Sequence, residues 1–451
     1  MGELRQGVSA RMQFLKEMTG QVLEASRIRP GESLLDLPGG KEIVNKSHIP
    51  LKNTTGITLV RPGGWNCYPA FWIRDFAMSL ESGLVPDDEL LGMVLLTASK
   101  QNGPEERVLA KACIPPFAVP DHIRLDGEPV YFPGTYSSGD DQGGDFGYYP
   151  PYCDYYYFVE MVYRYVAQSR DDGILTREVA GYSVLERMER AFATPLTDPH
   201  TSLAWTSAQK RAVNFGFMDS IIQTGSLLFS SLLRYKAALM LSELLIRLHY
   251  TERSLAYQRI ASHIKEAVPV VFGDGSGWLM AATDNSRQHD VWGTAFAVYI
   301  GLLQGNDRIA ALEVLRDGYA AGRTCYRGNV RHIPCRDDYS ATSAWELTVN
   351  RPGLRGKNRY QNGAYWGTPS GWYMNSLSQI DIAMAEQLFM EYTDELMSGD
   401  FRNSQGIGSP WECLHPDGDY RQNGVYLTSV AVPYASLMQC HLSMERPYET
   451  G

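Results

Sequence analysis

Two carboxylates of this 451-residue chain stand among aromatic and small residues: Asp219 in Asn214-Phe-Gly-Phe-Met-Asp-Ser-Ile-Ile-Gln223, and Glu412 in Gly408-Ser-Pro-Trp-Glu-Cys-Leu-His-Pro-Asp417. Hydrolysis of a glycosidic bond needs such a pair. One carboxylic acid protonates the leaving oxygen, and one carboxylate activates water or attacks the anomeric carbon. Crowding by Phe215, Phe217 and Met218 desolvates Asp219 and raises its pKa, as a general acid requires. Plainer readings stand beside this. Asp219 also suits the N-cap of the apolar helix that follows it, and Glu412 a solvated loop glutamate or the partner of an arginine.

Other residues could grip a sugar. Arg74 and Asp75 place adjacent charges in Ala70-Phe-Trp-Ile-Arg-Asp-Phe-Ala77, where they form either a structural ion pair or a donor and acceptor set for hydroxyl groups. Asp154 follows Tyr148-Tyr-Pro-Pro-Tyr152, Asp290 precedes Trp292, and Arg331 stands with His332 in Gly328-Asn-Val-Arg-His332. Each reads as a substrate contact or as a helix cap. The 27 Tyr, 9 Trp and 15 Phe add to the case, because many lie beside Gly, Pro, Asp or Asn, where a ring face can meet the C–H face of a sugar. The same rings serve equally as core. The loop Ser137-Ser-Gly-Asp-Asp-Gln-Gly-Gly-Asp145 lacks regular calcium-ligand spacing and is read as a lid over the sugar.

These residues need elements to hold them. Apolar residues recur at three- and four-residue spacing over Tyr155 to Val166, Ser226 to Leu248, Ala295 to Leu303, Ile309 to Tyr319 and Ile380 to Glu395, which predicts helices. Strand alternation is confined to Ile57 to Arg61 and Asn329 to Ile333. The polar-aromatic segments centred near Asp75, Asp154, Asp219, Asp290, Tyr365 and Tyr426 recur roughly every 60 to 80 residues, room for one helical hairpin and its loops. Six such units predict a mainly α fold, an (α/α)6 toroid with short β segments in the active-site loops. No linker divides it, so residues 1–451 read as one catalytic domain, with 1–64 as an N-terminal helix and lead-in.

The order of these segments resembles that of the six-hairpin glycosidases, the clan of glucoamylases, trehalases, processing α-glucosidases and the glucosidase half of debranching enzyme. Phe71-Trp-Ile-Arg-Asp75 resembles their Trp-x-Arg-Asp segment, and Pro120-Asp-His122 with Tyr131-Phe-Pro-Gly134 their second-hairpin loop. Phe217-Met-Asp219 is similar to their Trp-Met-Asp, although Gln223 stands where the family usually has Glu. Tyr360-Gln-Asn-Gly-Ala-Tyr-Trp366 resembles their Tyr-x-Asn-Gly-x-x-Trp loop, and Glu412 takes the place of the catalytic base. The resemblance implies an inverting hydrolase of a small α-linked glucoside or related hexoside, with Asp219 as acid and Glu412 as base. It further implies sugar contacts at Trp72, Arg74, Asp75, Asp121, His122, Tyr152, Asp154, Gln223, Asp290, Trp292, Arg331, Gln361, Asn362, Gly363, Trp366 and Trp411.

Composition excludes other classes. A net charge of −10 without a basic cluster disfavours nucleic acid. Arg234, Lys236, Glu243 and Arg247 interrupt the most apolar stretch, so no membrane span is expected. Seven scattered cysteines without CxxC spacing, and an N-terminus without a signal-peptide core, fit a cytoplasmic protein; the glycosylation-like triplets at Asn45 and Asn53 are then chance matches. No cofactor or metal is called for. The expected partner is a small carbohydrate, and the oligomeric state stays open. Alternatives on the same scaffold are a sugar epimerase using His289 and His332, a glycoside phosphorylase, or a non-catalytic carbohydrate-binding protein.

Overall fold

Uniformly apolar helices must be enclosed by protein, whereas striped ones can face water, and this chain alternates the two. The computed structural model describes residues 2–40, 49–65, 67–135, 143–335, 356–403 and 407–440. Among these, twelve helices form in order: α1 (Gly2–Ser26), α2 (Ile73–Ser79), α3 (Asp87–Lys100), α4 (Tyr152–Ser169), α5 (Val184–Ala193), α6 (Leu228–Arg247), α7 (Thr251–Phe272), α8 (Val291–Tyr299), α9 (Gly305–Ala320), α10 (Ser370–Ser378), α11 (Ile382–Ser398) and α12 (Thr428–Met438). The even-numbered helices are inner: α2 is buried along its whole length, α8 from Val291 to Val298, and α12 from Thr428 to Leu437. The odd-numbered ones are outer. α7 buries a single stripe of Ser254, Ala261, Ile264, Val268 and Phe272.

Closure is visible in the packing. α2 lies against α4, α4 against α6, α6 against α8, α8 against α10, α10 against α12, and α12 returns to α2. This is the (α/α)6 toroid that the sequence predicts. One continuous apolar cluster runs from Val8 to Cys440. None of the described helices is long and apolar enough to cross a membrane.

Local chemistry sets the boundaries, which fall a few residues from the predicted ones, as two cases show. The apolar pattern through Leu303 outlasts its helix: α8 ends at Tyr299, and Gly301 (φ 68°) turns the chain in the left-handed region. Likewise the run starting at Ile380 begins its helix only at Ile382, because the Asp381 side chain accepts from Met384 N and caps it.

The segments entering the inner helices share one rim, and short strands there brace them. β1 (Ala70–Trp72), β2 (His122–Arg124) and β3 (Pro129–Val130) form one sheet, in which Trp72 pairs with His122. A second sheet runs in order β4 (Cys325–Tyr326), β5 (Asn329–Val330), β6 (Tyr365–Trp366), β7 (Trp411–His415) and β8 (Tyr420–Gly424). Residues 137–142 of the loop read from sequence as a lid, and Asn45, lie outside the described residues.

Candidate active site

A small, tight pocket opens on this rim, lined by Trp72, Arg74, Asp75 and Glu412. Tyr68, Phe217, Tyr360 and Tyr426 supply its aromatic walls.

Glu412 comes from β7, a strand where a Pro-flanked loop was expected, and is 1% exposed. Neither of its plainer readings fits. It accepts from Tyr68 Oη at 3.0 and 3.3 Å and from Asn423 Nδ2 at 2.5 Å, Asn423 lying on the paired strand β8. Burial pushes its pKa up to about 8; Asn423 and Tyr68 oppose the rise, and nearby Asp75 adds to it.

Asp219 ends the turn Gly216–Met218, and α6 starts nine residues later, so Asp219 does not cap that helix. Its Oδ1 accepts instead from Gln361 Nε2 at 2.8 Å. Gln361 is itself held, because its Oε1 accepts from Ser220 N at 2.8 Å and Ser220 Oγ at 2.5 Å. Burial pushes Asp219 up to about 6, against the pull of Arg74 and Gln361. Gly216 is needed here for space: a Cβ would fall 1.9 Å from Arg74 Nε.

Arg74 sits amid three carboxylates. It donates to Asp121 Oδ1, lies 3.7 Å from Asp154 Oδ1, and stands 3.6 Å from Asp75 Oδ2. Asp75 in turn accepts from Tyr426 Oη at 2.6 Å. Burial pushes Asp121 up, but Arg74 and His122 outweigh it and hold it below its usual value. His122 shares a 2.7 Å bond with Asp121 and stacks on Trp72 at 4.2 Å. Asp121, His122 and Asp154 therefore form a buried shell behind Arg74 and Trp72.

Asp219 and Gln361 stand beside this pocket's lining residues Gly216 and Tyr360 and not among them, and the remaining expected contacts also lie outside the lining. Asp290 caps α8 by accepting from Gly293 N at 2.8 Å. Trp292 and Trp366 are fully buried, and Trp292 stacks on His332 at 4.1 Å, behind Phe217. Arg331 donates to the carbonyls of Gly363 (2.9 Å) and Cys335 (2.7 Å) within the second sheet. Asn362 donates to Gly356 O, Tyr152 to Trp205 O, and Gln223 accepts from Asn214. Trp411 lines a separate groove with Arg421 and Asp419.

Tyr68, Tyr360, Tyr426 and Asn423 were not among the expected contacts. Tyr68 follows Gly63-Gly64-Trp65 and precedes Pro69, an aromatic in a turn directly before β1, which is the signal that marks it. Backbone strain marks the group too: Tyr68, Tyr360, Asn423 and Val425 have φ of 36°, 44°, 45° and 59°. Non-glycine residues in that region cost about 1–3 kcal/mol each and concentrate at functional sites.

No family model and no curated protein matches the chain. Solved structures do match it. A wild-type glycosidase is 13% identical with a TM-score of 0.53, over 98% of this chain and 99% of that one. A GH63 mannosylglycerate hydrolase from Thermus thermophilus, in complex with glucose, is 12% identical with a TM-score of 0.52, over 88% and 98%. A GH78 rhamnosidase of a Bacillus species is 11% identical with a TM-score of 0.50, over 84% of this chain and 32% of that one. The chain thus has the (α/α)6-barrel fold of the six-hairpin glycosidases.

Proposed function

We propose that the chain is an inverting glycoside hydrolase that takes one hexose ring of a small α-linked glycoside into this pocket. The observation that carries the reading is the shared support of its two buried carboxyls. Gln361 donates to Asp219, while the hydroxyl of adjacent Tyr360 lies 3.0 Å from Tyr68 Oη, which donates to Glu412. Asp219 protonates the leaving oxygen, and Glu412 takes a proton from water attacking the opposite face of the ring. Arg74 and Asp75 bond the hydroxyls, and Trp72 and the tyrosines cover the C–H faces. Named glycosidases among the structures of like fold support the same class.

The epimerase alternative finds its histidines badly placed. His289 is paired with Asp274 at 2.7 Å on the surface, and His332 Nε2 is bound to Phe217 O at 3.1 Å, with burial pushing its pKa down to about 3. Cytoplasmic residence belongs to the proposal as well, supported by seven cysteines that form no disulfide.

The test is turnover of α- and β-linked disaccharides and small glycosides, followed by proton NMR of the released anomer. Inverted product, abolished in Glu412→Gln, is the expected result. In Asp219→Asn, turnover should survive only on glycosides with good leaving groups, which need no protonation. Retained product would overturn the inverting assignment, and turnover indifferent to both substitutions would overturn the site.

A further inference from the structure

Arg61 is fully buried, and its guanidinium meets no carboxylate among the described residues. Buried cations are ordinarily paired. This one instead gathers carbonyls of a single turn: Nη1 donates to Trp65 O at 3.0 Å and Cys67 O at 3.2 Å, and Nη2 to Gly64 O at 3.5 Å. The turn curls around the charge and ends at Tyr68, held at φ 36° with its hydroxyl on Glu412.

The outer face of the same turn docks on the segment after β8. Gly64 N donates to Val425 O at 2.9 Å, and Leu427 N to Pro62 O at 2.8 Å. Gly64 has no room for a side chain, since a Cβ would meet Ala25 Cβ at 2.5 Å and Val425 Cγ1 at 2.9 Å. That segment begins just beyond Asn423, the other donor to Glu412. Tyr68, and through the segment after β8 also Asn423, are therefore tied to one turn that holds a guanidinium.

We propose that Arg61 is a positioning residue for Glu412, acting through Tyr68; its catalytic meaning rests on the glycosidase reading, its structural effect does not. The groups facing Glu412 are Tyr68, Asn423, Tyr426, Tyr360, Asp75 from α2, and neighbouring Cys413. The Tyr68 bond favours the ionised carboxylate, so losing it moves the Glu412 titration midpoint upward.

The experiment labels glutamate carboxyls with carbon-13, assigns Glu412 by its loss in Glu412→Gln, and titrates Arg61→Met, Tyr68→Phe and the double variant. The pH dependence of kcat/KM is measured alongside. Both single variants should move the midpoint upward, the double variant no further than Tyr68→Phe, and Arg61→Lys by less than Arg61→Met. Turnover should lose on the order of tenfold in kcat with KM unchanged, as for a lost hydrogen bond to a charged group. A wild-type midpoint in Arg61→Met, or additive shifts in the double variant, overturns the proposal. If Arg61→Met does not fold, a wild-type midpoint in Arg61→Lys overturns it equally. Midpoints that move as expected in a protein releasing no sugar would leave the positioning role intact and remove the glycosidase reading.

Discussion

The side-chain amide of Gln361 donates to Asp219 Oδ1 at 2.8 Å across 142 residues of sequence, and its own oxygen is fixed by Ser220 from both backbone and hydroxyl. A group held this rigidly sets the carboxyl's direction as well as its charge. Gln361→Ala removes a hydrogen bond to a charged group, worth about 1.5–3 kcal/mol, and should lower kcat about ten- to a hundredfold. It should also move the Asp219 midpoint above about 6, because the lost bond favours the ionised form. Wild-type kcat in this variant would show that Asp219 is positioned by other groups.

The pH dependence of kcat/KM follows from the pair. Burial pushes Asp219 up to about 6 and Glu412 up to about 8. Below the first value both carboxyls hold protons and no base remains; above the second both are ionised and no acid remains. A bell with limbs near about 6 and about 8 is expected, and the limbs belong to the coupled pair. A profile without an alkaline limb would rule out a carboxylic acid as proton donor.

What the sequence made legible was local. Phe71-Trp-Ile-Arg-Asp75, Phe217-Met-Asp219 and Trp411-Glu412 each carry their chemistry within a few residues, and each ends on the rim of the toroid. The partners of those carboxyls were hidden because Tyr68 meets Glu412 from 344 residues away, through a turn that only left-handed backbone permits. Composition alone does not separate scaffold from contact at Trp292, Trp366 and Arg331, which are of the kinds that bind sugars and are buried behind the aromatic wall of the pocket. The boundary of α8 shows the same limit, since Leu302 and Leu303 stay buried after Gly301 has ended the helix.

Glu412 should cost the fold stability that its removal restores. Its folded pKa of about 8 lies above the 4.5 of an ordinary glutamate. Between these values the folded state holds a proton that the unfolded state has released, so stability falls as pH rises through this window. Glu412→Gln has no such proton to lose. Its Tm should exceed that of the wild type by a margin that grows from pH 4.5 to about 8 and is constant above. A margin independent of pH would mean that Glu412 is not titrating in a buried setting.

Asp290 offers a clean separation of scaffold from sugar contact. Its Oδ1 accepts from Gly293 N at 2.8 Å at the start of α8. Asparagine presents the same acceptor, so Asp290→Asn should keep the wild-type KM and fold. Alanine does not, and Asp290→Ala should cost about 1 kcal/mol, within the range for lost N-caps, again with KM unchanged. Thermal unfolding and steady-state kinetics of the two variants decide the point. A raised KM in Asp290→Asn with an unchanged Tm would assign the carboxylate to the substrate, because only a bound sugar would then distinguish the acid from its amide.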